Sequence, residues 1–221
     1  MTRPHEDLER HTLTDHHAGG PPVGFAPGAW CAIDVAHVKA ARVGAGISTY
    51  ETLIEKGRTS SAKVRAAAVL RSVNNRRVIA LLEIAGHDAF RHLTSAWDDH
   101  HLHAERHTVA DSRILGLYRV AAVAGDGSFD PGSHDAYAFE HVGCTPERAR
   151  GLIAAIAAAP GFRGVVVFGA DDATTSAVVY RFEHAGQVDA FRGSAAAQRA
   201  VGAVGDGGES MSAVHPVRTF G

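Results

Sequence analysis

The chain has 221 residues, 45% of them apolar and 21% charged, and a formal net charge of −2. This apolar content supports a packed core in one large domain or two smaller ones, and the balanced charge argues against nucleic-acid binding. The sequence has no run of about 18 apolar residues that would predict a membrane span, and its charged N-terminus lacks the apolar segment of a secretory signal. We therefore expect a cytoplasmic protein in which Cys31 and Cys144 are free thiols.

Residues 1–28 are predicted to form a disordered arm, because histidine, glycine and proline are frequent there and apolar periodicity is weak. The alternating segment Trp30–Val38 is predicted to be the first strand. Asp34 would lie on one face of this strand and His37 on the other. Whichever face is buried therefore carries a polar side chain that needs a partner.

The rest of the first half is predicted to hold two helical regions, a hairpin and a last strand. Ser48 and Glu51 form a capping-box pattern, and Asn74-Asn75 is a turn-forming pair between two β-type runs. These elements give the ferredoxin-like order β-α-β-β-α-β. The predicted bounds are a helix from Ser48 to about Lys56, a helical piece near residues 61–67, strands over 68–73 and 78–84, a helix over 87–107 and a strand over 114–123.

A segment rich in glycine, aspartate, proline and serine, residues 125–134, is predicted to link a first repeat, residues 29–124, to a second, residues 135–221. The second repeat has the same predicted order of elements. Its strands are expected over 136–142, 165–168, 177–182 and 211–217, and its helices over 145–159 and 188–204.

The helix predicted over residues 87–107 contains six of the 15 histidines. At about 100° per residue, an apolar stripe contains Leu93 and Trp97, and four imidazoles follow one edge of it. Imidazole can bind a metal or haem iron, or transfer a proton, near neutral pH; a solvated histidine-rich face is the alternative. The four are His92, His100, His103 and His107.

The segment Glu83–Arg91 recurs as Glu183–Arg192 about 100 residues later, as two fused copies would give. Beyond this shared start, only the helix of the first copy continues with histidines. Residues shared by both copies are explained by the fold, whereas residues of one copy are better candidates for chemistry. We therefore expect the active cavity in the first half, with the second half as its structural partner.

Each half, with Asp-Ala-Phe-Arg near the start of its second helix, resembles the dimeric α/β-barrel superfamily, which includes the antibiotic-biosynthesis monooxygenases. The resemblance covers residues 30–221 as two copies. It implies an α+β fold in which tandem ferredoxin-like repeats form one pseudo-symmetric barrel, with a ligand cavity between sheet and helices. Members of the superfamily include haem proteins and cofactor-free oxygenases.

In the haem-degrading branch of that superfamily, the axial histidine lies on the second helix. The corresponding residue here is His103, and His100 and His107 lie within one turn of it. The resemblance therefore implies haem as a cofactor, with His103 as the iron ligand.

That branch also has an asparagine on its first strand and a tryptophan on the second helix. This chain has Asp34 or His37 on the strand, and Leu93 near the tryptophan position with Trp97 one turn later. These departures argue against haem degradation but leave haem binding open.

The leading hypothesis is a haem-dependent, monooxygenase-like oxidoreductase of a small metabolite, of the kind found in bacterial secondary metabolism. Iron would be ligated by His103, and His107, Trp97 and Leu93 would contact the haem. No nucleic-acid or membrane partner is expected, and a homodimer is one option.

Three alternatives remain open. A cofactor-free oxygenase or cyclase would use His37 or His100 as general base, with Asp34 as a further catalytic candidate. A non-haem metal site could use His100, His103 and His107, because spacings of three and four place them on one side of a helix. The last alternative is a ligand-binding protein without catalysis.

Overall fold

The computed structural model describes residues 19–60, 62–98, 110–142, 145–194 and 212–221. Eight strands and four α-helices lie in these ranges. The strands are β1 Trp30–Val38, β2 Ala66–Ser72, β3 Arg77–Ile84, β4 Ala110–Gly125, β5 Ala136–Val142, β6 Phe162–Ala170, β7 Ser176–Phe182 and β8 Ser212–Phe220, and the helices are α1 Val43–Thr59, α2 His87–Asp98, α3 Pro146–Ala157 and α4 Ala185–Arg192.

The fold is α+β, with one antiparallel sheet of eight strands that closes on itself. The first half has the strand order β4-β1-β3-β2 and the second half the order β8-β5-β7-β6. Strand β4 joins the halves, because residues 110–119 pair with β1 and residues 118–125 pair with β6. On the other side, β8 pairs with both β2 and β5. Each half therefore has the same connectivity.

Strand alternation divides the core into an interior and two outer layers. On β1, Ile33 and Val35 face the sheet interior, whereas Ala32 and Ala36 face helices α1 and α2. In the second half, the outer face of the sheet packs against α3 and α4 through residues such as Phe191. We call these outer layers the N-terminal layer and the C-terminal layer.

The first helix begins earlier than predicted. Helix α1 starts at Val43, so Ser48 lies inside it and the capping-box prediction is wrong. Buried positions at helical spacing fix this helix on the sheet; they are Ile47, Tyr50, Leu53 and Ile54. The predicted helical piece near residues 61–67 is also wrong: Lys63 adopts a positive φ of 46°, and β2 begins at Ala66.

The segment expected to be a disordered arm is packed from residue 19 onward. Val23 and Phe25 are 5% and 4% exposed and belong to the sheet interior. Val23 forms two backbone hydrogen bonds with Phe129, of 3.0 and 2.7 Å, and the ring of Phe25 meets the edge of Phe129 at 5.5 Å. Two apolar residues among glycines and prolines produce no periodicity, which explains why the sequence pattern did not reveal them.

The Asp-Ala-Phe-Arg motif occupies different positions in the two helices. Phe90 is the fourth residue of α2, whereas Phe191 is the seventh residue of α4. Leu93, not Phe90, is therefore the counterpart of Phe191. Phe90 is half-buried, while Phe191 is 5% exposed. The sequence repeat is thus displaced by about one helical turn from the structural repeat.

Among the described helices, none is long and apolar enough to cross a membrane.

Candidate functional site

Each outer layer contains one buried carboxyl group at an equivalent position. In the first half, Trp30 pairs with the last residue of β3, and Asp34 follows four residues later. In the second half, Ala136 pairs with the last residue of β7, and Glu140 follows four residues later. Asp34 is fully buried and Glu140 is 4% exposed. The two acids are therefore related by the internal repeat.

The carboxyl group of Asp34 lies on the helix-facing side of β1. Its strand neighbours on that face are Ala32 and Ala36, and it is opposite Ala80 on β3 and Leu115 on β4. Three of these four side chains are alanines, so the sheet surface around the acid is low. A carboxyl group buried among apolar side chains is costly unless it is hydrogen-bonded or protonated, so its presence marks this position as chemically distinct within the N-terminal layer.

Glu140 forms a short hydrogen bond in the C-terminal layer. The Tyr180 hydroxyl donates to Glu140 Oε2 at 2.6 Å, and both side chains are buried. The Tyr180 ring centre lies 5.7 Å from that of Phe191, which also lines a cleft of about 270 Å³ between α3 and α4. The layer thus combines a buried acid, a phenol and an adjacent cleft.

The predicted catalytic residues Asp34 and His37 do not share a layer. His37 alternates with Ala36 and Val38 and therefore lies on the interior face of β1, whereas Asp34 faces the helices. The interior also contains Tyr118 and His141, whose hydroxyl and Nε2 share a hydrogen bond of 2.9 Å. Burial raises the pKa of Tyr118 to about 12. The geometry separates His37 from the helix-facing site that the sequence predicted.

The predicted haem-contacting residues are only partly described. Leu93 is 1% exposed and packs in the N-terminal layer, but His92, on the predicted histidine stripe, is exposed. The Trp97 side chain lies outside what the structure describes, and so do the other three stripe histidines, His100, His103 and His107. Haem ligation therefore stays a prediction. The described ranges contain no group of three or more His, Cys, Asp or Glu side chains able to hold a metal.

Sequence reasoning missed Glu140 and Tyr180. The available signal was the recurrence of Ala-Ile-Asp at residues 32–34 as Ala-Phe-Glu at residues 138–140. Tyr180 gives no such signal, because only the pairing of β5 with β7 brings it beside the acid.

No family model and no curated protein matches this sequence. Solved structures do match the fold. An anthrone oxidase-like protein superposes with a TM-score of 0.71 at 16% identity, over 90% of this chain and 96% of its own. A proposed monooxygenase from Fusobacterium nucleatum subsp. nucleatum gives 0.59 at 10% identity, over 88% and 95%. One from Lactobacillus acidophilus gives 0.55 at 5% identity, over 87% and 95%.

The chain shares the fold of these three structures. The resemblance predicted from the sequence is confirmed at the level of the fold, since two of the three are described as proposed monooxygenases. In the two most similar of these structures the likeness covers nearly the whole of each chain, which places both outer layers within the shared architecture.

Proposed function

We propose that this protein is a cofactor-independent, monooxygenase-like oxidoreductase of a small aromatic metabolite, with Asp34 as its proton acceptor. The observation that carries the proposal is a carboxyl group with no exposed surface in the apolar N-terminal layer. The fold shared with an anthrone oxidase-like protein supports the reaction class. This proposal moves the general base from His37 or His100 to Asp34.

The proposed substrate has a CH₂ group acidified by flanking rings and a carbonyl group. Written R₂CH₂, it reacts as R₂CH₂ + O₂ → R₂C=O + H₂O. Asp34 takes one proton, and the carbanion bonds to O₂ to give a peroxide anion, which recovers that proton. Asp34 then takes the second C–H proton; the C–H electron pair forms the C=O bond, the O–O bond breaks, and the released hydroxide receives the proton as water.

The surroundings of Asp34 are apolar. We propose that the aromatic ring and O₂ meet the acid within this layer, where bulk water does not compete for the proton. The alanines at positions 32, 36 and 80 keep the sheet surface low around the acid, and we propose that the ring lies against this surface.

Haem dependence is the second candidate, and it is supported by the imidazole pattern of the sequence. Of the described histidines on β1 and on the predicted stripe, His37 faces the interior and His92 is exposed. The fit to haem therefore depends on His100, His103 and His107, which lie outside the described residues. An absorption spectrum of protein expressed with a haem precursor separates the two candidates.

We further propose that the chain is a tandem fusion of two ferredoxin-like copies, equivalent to a dimeric α/β-barrel. The repeated strand order and the equivalent acids support this. A homodimer of the whole chain stays a prediction.

The test of Asp34 uses anthrone as substrate and the formation of anthraquinone as readout. Asp34→Asn retains the side-chain shape but cannot accept a proton, and removing a general base typically costs a factor of roughly 10² to 10⁴ in rate at its site. Glu83→Gln, on neighbouring β3, is the matched control and should keep the full rate. An Asp34→Asn protein that matches wild type would refute the role of Asp34.

A further inference from the structure

We propose that the C-terminal half contains a second reaction site, in which Glu140 exchanges a proton with a substrate of the same aromatic class and Tyr180 relays that proton. The inference rests on the proposed function for its chemistry, but its structural evidence is independent of Asp34. It reverses the expectation that the second half is only a structural partner.

Glu140 occupies the register position of Asp34 in its own repeat, on the helix-facing side of a first strand. A second acid at an equivalent buried position is unexpected from packing alone, since the surrounding residues of the C-terminal layer are apolar. Replacing a buried ion pair with apolar side chains of similar size is often neutral or stabilising, so packing alone does not account for the Glu140–Tyr180 pair.

The Glu140–Tyr180 hydrogen bond is suited to proton transfer. The hydroxyl oxygen of Tyr180 lies 2.6 Å from Glu140 Oε2, a short donor–acceptor distance typical of a bond to an ionised carboxylate. A phenol in this position can pass a proton from a ligand to the carboxylate by giving up its own. Glu140 would thus be the base and Tyr180 the relay on the ligand side.

The cleft beside Phe191 gives a ligand access to this layer. The cleft of about 270 Å³ is lined mainly by alanines from the end of α3, by Phe191 and, at its polar positions, by Gln187 and Ser194. Its size suits a small planar molecule. Phe191 lines this cleft, and its ring centre lies 5.7 Å from that of Tyr180. Rotation of one aromatic side chain, a common adjustment on binding, would connect the cleft to the pair.

The catalytic test measures anthrone oxidation in an Asp34→Asn background, which isolates the second site. We expect Asp34→Asn alone to retain the contribution of the C-terminal site, and Asp34→Asn/Glu140→Gln to fall by a further factor of roughly 10² or more. Asp34→Asn/Tyr180→Phe should lose rate similarly while keeping the ring packed. Unchanged melting temperatures would exclude misfolding of these variants. If the Glu140→Gln variant does not fold, the Tyr180→Phe variant provides the test.

If Asp34→Asn alone removes all activity and Glu140→Gln retains the wild-type rate, the second site is wrong while the proposed function stands. If wild-type protein oxidises no anthrone, the proposed function fails, and binding then decides whether the second site exists.

The binding test uses isothermal titration with 2-naphthol, which requires no turnover. Ala158 lines the cleft and is exposed, so Ala158→Trp fills the cleft without disturbing the core. Ala157 is also exposed but does not line the cleft, so Ala157→Trp is the matched control. We expect Ala158→Trp to bind one equivalent fewer than wild type and Ala157→Trp to bind the same number. Equal stoichiometry in all three proteins would overturn the site.

Discussion

Phe90 and Phe191 occupy the same motif in the sequence but different depths in the fold. Phe191 is 5% exposed and lies 5.7 Å from the rings of both Tyr180 and Phe182. Replacing a buried phenylalanine with alanine typically costs about 3–5 kcal/mol. Phe90 is only half-buried at the edge of its layer, so the same change there removes less apolar contact and should cost about 1–2 kcal/mol.

The two variants, Phe191→Ala and Phe90→Ala, form a matched pair. Urea unfolding followed by circular dichroism gives the free energy of unfolding of each, provided that the denaturant slope is unchanged. At about 2–4 °C per kcal/mol for a chain of this length, Phe191→Ala should also lower Tm by roughly 10 °C. Equal costs, or a larger cost for Phe90→Ala, would refute the one-turn displacement between sequence repeat and structural repeat.

Three further predictions concern the backbone, a thiol and a phenol. Gly164→Ala should strongly destabilise the protein, because the added carbon would collide with the Asp126 carbonyl oxygen. Gly151→Ala on α3 has open space and should raise stability by up to about 1 kcal/mol. Thermal unfolding that ranks the two variants in the opposite order would contradict the packing of β6. Burial raises the pKa of the Cys31 thiol, so in a Cys144→Ser background Ellman's reagent should react only after unfolding, and rapid reaction of the native protein would disprove its burial. Burial raises the pKa of Tyr118 from 10.0 to about 12, so its contribution to stability is complete below pH 10 and is lost as the pH rises to 12. Between pH 10 and 12, Tyr118→Phe should therefore lose less free energy of unfolding than wild type, and an identical loss would contradict this assignment.

The strands were largely predictable from the sequence because each strand has one face in the interior and one in an outer layer, so successive side chains alternate between the two. The predicted bounds of β1 and β5 agree with the structure, and the hairpin around Asn74-Asn75 was placed to within two residues. Strand β4 is longer than predicted because it pairs with β1 and then with β6. That second pairing is a contact between the halves, which a local pattern cannot reveal.

The helices were less predictable because tertiary burial outweighed local signals. A capping-box pattern at Ser48 favours a helix start, yet the buried spacing from Ile47 to Ile54 carries α1 through it. The Asp-Ala-Phe-Arg motif indicated a repeat, but not its register, since a helix can slide by one turn and still present an apolar face.

The candidate site was only half visible in the sequence. Asp34 was identifiable as a polar residue on a buried strand, but the burial of its face required the structure. Glu140 and Tyr180 are 40 residues apart and meet only through the pairing of β5 with β7. The imidazole pattern of the sequence gives no indication of the buried carboxyl groups that both layers share.

Oxygen uptake by the purified protein with anthrone, measured beside its absorption spectrum, tests the central claim most directly. We expect one O₂ to be consumed per anthraquinone formed, by protein without a Soret band, and a strongly reduced rate in Asp34→Asn/Glu140→Gln. Oxygen uptake that requires added haem, or that persists in the double variant, would contradict it.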